Sequence, residues 1–224
     1  MLRRGCTIDI RGDDFDCALL INGGPVLLQW SDGGRCDGQY LARSGDSTAL
    51  ADALRPLAPL LDGGLDLGKG LAAQLGVLVN MFGDGQYSLS YLPEVPVRDV
   101  LEYDSSFSFT EEREHFYPGD HTLVATRPSD RMDPARIEHY RAAIRGGARP
   151  LPIVIRVAEG RTSFVLDGHH KIRAYRSLGV PAALLSIERT QAGPIDKLEG
   201  LKLLGVARRW TNEYLTAKDE AQSG

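Results

Sequence analysis

The side chains in this chain that are best suited to chemistry stand together in one short stretch, Asp167-Gly168-His169-His170-Lys171. The β-branched and aromatic run over residues 162–166 predicts a buried strand, and apolar residues at helical spacing after the stretch predict a helix that ends at Gly179. A strand that turns tightly into a helix leaves the first N–H groups of the helix without partners, and the helix dipole favours an anion there. The alternative is that the aspartate only caps the helix and the basic side chains are solvated.

These side chains supply what a bound phosphate group needs, namely N–H donors, positive charge and a carboxylate or a metal ion. Gly168 has no Cβ and allows the backbone to approach an anion closely. His169 and His170 can each donate a hydrogen bond, and Lys171 adds a point charge. Asp167 can ligate Mg²⁺ through one oxygen, because magnesium takes one or two carboxylates together with phosphate and water. We therefore predict a phosphate-binding site at this turn.

The same five residues resemble the signature of the ParB/sulfiredoxin superfamily, and they are most similar to the Asp-Gly-His-His-Arg form of the ADP-dependent free serine kinases. Lys171 stands where those kinases carry an arginine, which binds phosphate as a fork. His169 stands where sulfiredoxins carry their reactive cysteine, so sulfiredoxin chemistry is not expected. In ParB proteins the equivalent stretch holds the phosphates of a nucleotide. The resemblance implies ADP or ATP, with Mg²⁺, as cofactors.

The resemblance also implies a catalytic base for transfer of a phosphoryl group to an alcohol. In the free serine kinases a glutamate in a Pro-x-Glu turn accepts the alcohol proton, and Asp130 occupies the similar place here. Asp130 is the predicted base, with Asp167 and His169 completing the predicted catalytic set, and Glu138 is the reserve. Arg131 resembles the arginine of the first ParB box and is predicted to contact phosphate. The alternative for this arginine is a surface ion pair of little energetic value.

Three functions are compatible with these residues. The first is a small-molecule kinase that moves phosphate from ADP or ATP to a hydroxyl, with free serine or a serine-like metabolite as the expected acceptor. The second is a ParB-like regulator or switch that binds a nucleotide with slow or no turnover. The third is a ParB-like nuclease, which ranks last because the chain is acidic and shows no multi-carboxylate cluster. The sequence leaves open the acceptor, the choice between ADP and ATP, and turnover itself.

The elements that must position these residues lie in a predicted nucleotide-binding core over residues 119–190. Asp133 as N-cap and Pro134 as the first helical residue predict a helix, which Gly146 and Gly147 end. Strands are predicted over residues 123–125, 151–157, 162–166 and 183–187, with the middle two paired as a hairpin. The order of helix, hairpin, helix and strand matches the superfamily core. We therefore predict an α+β fold with a ParB/sulfiredoxin-like core.

Residues 1–118 are predicted to form an additional N-terminal α+β region of unknown role, and residues 191–224 a C-terminal helix and a polar tail. In the first region, strands are predicted over residues 7–10, 17–21, 26–30 and 87–92, and helices over residues 48–57 and 71–81. Residues 31–45 are interpreted as a surface loop, and residues 93–119 as a connecting segment or a lid that carries His115. Three roles are compatible with the N-terminal region: it determines which acceptor binds, it forms the surface of a homodimer, or it has no role in function beyond enlarging the fold.

A glycine-rich segment from Asp62 to Gly70 looks superficially like a phosphate-binding loop. It lacks the Gly-Lys-Ser/Thr order of a P-loop and the spacing of a dinucleotide fingerprint. We therefore interpret it as an ordinary flexible connection.

Length, charge and cysteine content limit the classes of protein and partner that are compatible with this sequence. A chain of 224 residues is long enough to bury a core without disulfides or metals. The net charge of −4 argues against a nucleic-acid partner bound mainly through its phosphates. The three cysteines are odd in number and lack the spacing of a zinc site, so reduced thiols in the cytoplasm are expected. No apolar run long enough for a membrane span or a leader is found, so no membrane partner is expected.

Overall fold

The protein has a mixed α+β fold, as the sequence predicts, and the fold is built on two β-sheets. The computed structural model describes residues 7–14, 16–31, 39–43, 48–105, 114–116, 122–193 and 195. The predicted C-terminal helix and tail therefore lie almost wholly outside the described residues.

Eleven strands are found among the described residues. They are β1 (Ile8–Gly12), β2 (Cys17–Ile21), β3 (Gly24–Ser31), β4 (Gln39–Arg43), β5 (Tyr87–Val95), β6 (Val100–Leu101), β7 (Glu114–Phe116), β8 (Thr122–Ala125), β9 (Ile153–Val157), β10 (Thr162–Asp167) and β11 (Ala182–Arg189). The α-helices are α1 (Thr48–Leu54), α2 (Leu71–Gln74), α3 (Gly76–Val79), α4 (Pro134–Arg145) and α5 (His169–Leu178). Single 3₁₀ turns follow α1 and precede α4, and a π-helical turn spans Leu60–Gly64.

The first sheet is antiparallel, with the strand order β1-β2-β3-β4-β7. The predicted hairpin between β2 and β3 is confirmed, and it turns through Asn22 and Gly23, whose φ angles are both positive as a two-residue hairpin loop requires. The interpretation of residues 31–45 as a loop is wrong for β4. The sequence on both sides of β4 is polar and rich in glycine, which is typical of a loop. The strand forms because it pairs with β3 and β7, and this pairing depends on distant residues.

The second sheet is mixed, with the strand order β5-β11-β9-β10-β8-β6. The predicted hairpin of β9 and β10 is confirmed as an antiparallel pair, and β8 runs parallel to β10. β5 and β6 precede residue 119, so this sheet takes strands both from the predicted N-terminal region and from the predicted core. β6 and β7 lie in the segment that the sequence interprets as a connection, and both are short enough to escape a pattern of alternating residues.

A buried apolar cluster joins the two sheets, because side chains such as Ile8 and Leu19 of the first sheet share it with Phe164 and Ile155 of the second. α4 and α5 pack on the other face of the second sheet, where Tyr140 and Tyr175 are buried. The helix predicted over residues 71–81 is broken into α2 and α3 at Leu75. Among the described residues, none of the helices combines the length and the apolar character that crossing a bilayer demands.

Candidate functional site

The predicted junction of strand, turn and helix is present where β10 ends and α5 begins. Gly168 is the N-cap residue in the left-handed region, with φ 90°, and Gly179 ends the helix with φ 66°. The first amide that bonds within the helix is that of Ile172, which donates to the Gly168 carbonyl at 2.9 Å. No side chain caps the helix, so the three preceding amides have no acceptor within it. The helix therefore presents backbone N–H donors and a positive dipole end at this turn.

Gly168 is needed at this turn for two reasons. Its φ of 90° is costly for a residue with a Cβ, and a Cβ built on it would lie 2.7 Å from Cα of Pro152. The space that a side chain would occupy therefore faces Pro152. The glycine thus has a packing role, in which the turn lies directly against the residue before β9, and its part in the approach of an anion stays a prediction.

The two histidines accept hydrogen bonds through Nε2 from the segment that follows β8. Nε2 of His169 accepts the backbone N–H groups of Thr126 at 3.0 Å and of Arg127 at 3.2 Å. Nε2 of His170 accepts the backbone N–H of Asp133 at 3.0 Å. Burial, with a contribution from nearby arginines, lowers the pKa of His169 to about 3 and that of His170 to about 4. Both rings are therefore neutral at pH 7 and carry their proton on Nδ1.

Lys171 is buried, with 3% of its side chain exposed, and it makes an ion pair that the sequence does not predict. Its Nζ atom lies 2.7 Å from Oδ1 of Asp62 and donates to the carbonyl of Leu151 at 3.3 Å. The hydroxyl of Tyr140 donates to the same carboxylate at 3.3 Å. The interpretation of the segment from Asp62 as an ordinary connection is therefore wrong at its first residue, which contacts the motif.

A cleft lies against this junction, and all five motif residues line it. Its volume is about 140 Å³, and Ala51, Leu54 and Ala58 from α1 and the turns after it contribute the apolar part of its wall. Sites for drug-sized ligands measure roughly 300–1,000 Å³. The cavity is thus large enough for one small charged group, while a larger ligand would extend out of it.

Three arginines line the cleft, and sequence reasoning identified none of them: Arg55, Arg127 and Arg136. Arg55 is paired with Asp52, and Arg136 lies beside the hydroxyl of Tyr140. The guanidinium of Arg127 makes no ion pair with any residue that the structure describes. A signal for Arg127 was present, because it follows β8 as the motif follows β10, and the carboxyl ends of parallel strands meet at one edge of a sheet.

Asp130 and Arg131, which the sequence assigned to the site, do not line the cleft. The carboxylate of Asp130 accepts both the N–H and the hydroxyl of Ser105 at 2.9 Å, and these hydrogen bonds lower its pKa. Nε of Arg131 donates to the same hydroxyl at 3.3 Å. The 3₁₀ turn before α4 therefore directs both side chains to the segment after β6. The reserve base, Glu138, is an exposed partner of Arg141 and lies elsewhere on α4.

Of the described residues that line the cleft, Asp167 is the one that carries a carboxylate. Within the same residues, no group of three or more His, Cys, Asp and Glu side chains converges in the manner of a metal site. The donor set thus fits Mg²⁺ only in the form that takes one carboxylate and completes its shell with phosphate oxygens and water.

Comparison of the chain with protein-family models, with curated proteins and with solved structures finds no match. The function is therefore argued from the geometry of the cleft.

Proposed function

We propose that this protein is a nucleotide-dependent phosphotransferase that acts on the hydroxyl of a small molecule, with free serine or a serine-like metabolite as the acceptor. The observation that carries the proposal is the composition of one cleft, in which the uncapped amides of α5 stand with Arg127, Arg136 and Asp167. Amides and arginines bind phosphate oxygens, and a carboxylate beside them is what phosphoryl transfer to an alcohol needs. The order of α4, hairpin, α5 and β11 supports a ParB/sulfiredoxin-like core.

The size of the cleft indicates how the substrates would be arranged. A volume of about 140 Å³ suits the reacting phosphate and the hydroxyl of a small acceptor, while the nucleoside lies outside it. Holding both reacting groups in one small space contributes to catalysis by orientation. A small acceptor such as an amino acid is consistent with this arrangement.

Asp167 has the role of Mg²⁺ ligand from the sequence, and its place in the cleft makes it the candidate base in place of Asp130. As the base, it accepts the proton of the acceptor hydroxyl at one carboxylate oxygen. The same carboxylate would hold Mg²⁺, which when bound supplies positive charge to the phosphate oxygens. Asp130 is less suited to the proton transfer, because its hydrogen bonds from Ser105 favour the charged form and weaken it as a base.

A second candidate is a switch that binds a nucleotide without consuming it, in the manner of ParB. The placement of Asp130 favours it, because the residue that the kinase resemblance assigns as base is bonded to Ser105 and does not line the cleft. Binding of phosphate by the amides and arginines requires no base at all.

The two candidates separate in one experiment. The protein is incubated with Mg²⁺, with ADP or ATP labelled in the terminal phosphate, and with a panel of amino acids and other small alcohols. Label on a small molecule is the expected result. A nucleotide that raises the melting temperature but is recovered unchanged in every mixture would identify the switch instead. The absence of both effects would overturn both candidates.

A further inference from the structure

We propose that Arg127, together with Arg136, and not Lys171 of the motif, supplies the positive charge that holds a phosphate group in the cleft, because Asp62 neutralises Lys171. This inference rests on the proposed function for the identity of the bound group. It reassigns the motif's cationic role to residues outside the motif, and it gives the N-terminal region a part in the site through Asp62.

The first step is the neutralisation of Lys171. Its ammonium group lies 2.7 Å from Oδ1 of Asp62, and its side chain is 3% exposed while that of Asp62 is 39% exposed, so water screens the attraction only in part. A second proton of the ammonium group is directed to the carbonyl of Leu151 at 3.3 Å. The group is thus held by a carboxylate and a carbonyl, and its net charge is balanced before any ligand arrives.

The second step is that Asp62 is itself fixed in this place. The carbonyl of Leu61 accepts the N–H of Leu151 at 2.7 Å, so the π-helical turn is bonded to the same backbone that Lys171 contacts. The hydroxyl of Tyr140 donates to both carboxylate oxygens of Asp62, at 3.3 and 3.4 Å. A phosphate that recruited Lys171 would have to break this set of contacts, which is costly because the ammonium group of Lys171 is buried.

The third step concerns Arg127. Nε2 of His169 accepts its backbone N–H at 3.2 Å, and Arg127 is one of the residues that line the cleft. The positive charge of Arg127 also contributes to lowering the pKa of both His169 and His170, the first two residues of α5. Because Arg127 has no ion pair with a described residue, its full charge and its fork of donors are open to phosphate.

The experiment measures binding of inorganic pyrophosphate by titration calorimetry, which separates phosphate binding from turnover. Five proteins are compared: wild type, Arg127→Gln, Arg127→Lys, Arg131→Gln and the double variant D62N/K171Q. Arg131 is the matched control, since it lies four residues further along the same segment, outside the cleft. The double variant removes both charges of the ion pair together, so that the buried ammonium group is not left without its counter-ion.

We expect Arg127→Gln to weaken pyrophosphate binding about tenfold or more, the loss that follows from removing a charge-assisted hydrogen bond. Arg131→Gln and D62N/K171Q should bind within about twofold of wild type, a difference too small for a lost contact of this kind. Circular dichroism checks that each variant is folded, and Arg127→Lys provides a second, milder change at the same position, with an intermediate loss expected.

Three results would overturn the inference: wild type that does not bind pyrophosphate, Arg127→Gln that binds it as well as wild type, or D62N/K171Q that loses as much affinity as Arg127→Gln. Failure of the proposed function has a different signature. Pyrophosphate would then bind with the expected dependence on Arg127, but no phosphoryl group would reach an acceptor.

Discussion

Nε2 of His169 accepts the backbone N–H of Thr126 at 3.0 Å, so the first residue of α5 is bonded to the chain as it leaves β8. His170 makes the equivalent bond to the N–H of Asp133, the N-cap residue of α4. The two motif histidines thus fasten both ends of the segment that carries Arg127. Their rings position the wall of the cleft, and the charges that face a ligand come from other residues.

The first prediction concerns the free energy of unfolding. In His169→Ala the buried N–H of Thr126 and the half-buried N–H of Arg127 lose their acceptor, and each unsatisfied donor costs roughly 1–3 kcal/mol. We expect a loss of about 2–5 kcal/mol in urea unfolding. His169→Gln places an amide oxygen near the position of Nε2 and should recover part of it. An alanine variant as stable as wild type would show that these hydrogen bonds do not contribute to the free energy of unfolding.

The second prediction concerns pH. Because the pKa values of His169 and His170 fall from 6.5 to about 3 and about 4 on folding, the unfolded chain binds protons that the folded chain does not as the pH drops below 6.5. The contribution of the two histidines to the free energy of unfolding should therefore be constant above pH 7. It should fall as the pH is lowered from 6.5 to 4. The slope in that interval approaches about 1.4 kcal/mol per pH unit for each histidine.

The control for the pH prediction is His170→Gln, which keeps an acceptor for the N–H of Asp133 but does not titrate. Its unfolding free energy, measured by urea denaturation at several pH values, should decline less steeply than that of wild type. Equal slopes for the two proteins would mean that His170 is already protonated in the folded chain.

The third prediction concerns the ion pair of Asp62 and Lys171. Asp62→Asn leaves a buried ammonium group without its counter-ion, and we expect a loss of about 1–3 kcal/mol. The value is placed below the usual range for buried pairs because 39% of the Asp62 side chain is exposed. D62N/K171Q should regain most of the loss, since neither charge remains. A double-mutant cycle by urea unfolding measures the coupling, and additive losses would contradict it.

The fourth prediction compares two glycines that both have positive φ. Gly168→Ala meets Pro152 as well as a left-handed backbone, and we expect it to cost about 2–5 kcal/mol in the free energy of unfolding. Gly179→Ala has the same backbone strain, but nothing lies within 4 Å of its Cβ, so about 1–2 kcal/mol is expected. Equal melting temperatures for the two variants would show that Pro152 moves to accommodate the added methyl group.

The local part of the site was predictable from sequence because it depends on short-range rules. An apolar run followed by Asp-Gly gave β10 and the start of α5, and Asp133 with Pro134 gave the start of α4, as the bond from the N–H of Ala135 to the Asp133 carboxylate shows. These features need only neighbouring residues, since strand patterns, caps and turns are set within a few positions.

The remaining part depends on which distant residues meet. Nothing around Asp62 distinguishes it from a loop aspartate, and its contact with Lys171 exists only because α1 and the turns after it pack beside β10. The hydrogen bonds from Ser105 set the orientation of the Asp130 side chain, and Ser105 lies 25 positions earlier in the sequence. Arg127 could have been found from the parallel pairing of β8 and β10, but that pairing itself had to be known first.

The fifth prediction tests which carboxylate serves phosphoryl transfer. Asp167 lines the cleft, whereas Asp130 accepts two hydrogen bonds from Ser105 and does not. We expect Asp167→Asn to lower the rate of label transfer from ADP or ATP by about 10²–10⁴, the usual contribution of a positioned base. Asp130→Asn should remain within a few-fold of wild type, with melting temperatures confirming that both variants fold. The reverse order of the two rates would mean that the turn before α4 leaves Ser105 and brings Asp130 to the cleft during turnover.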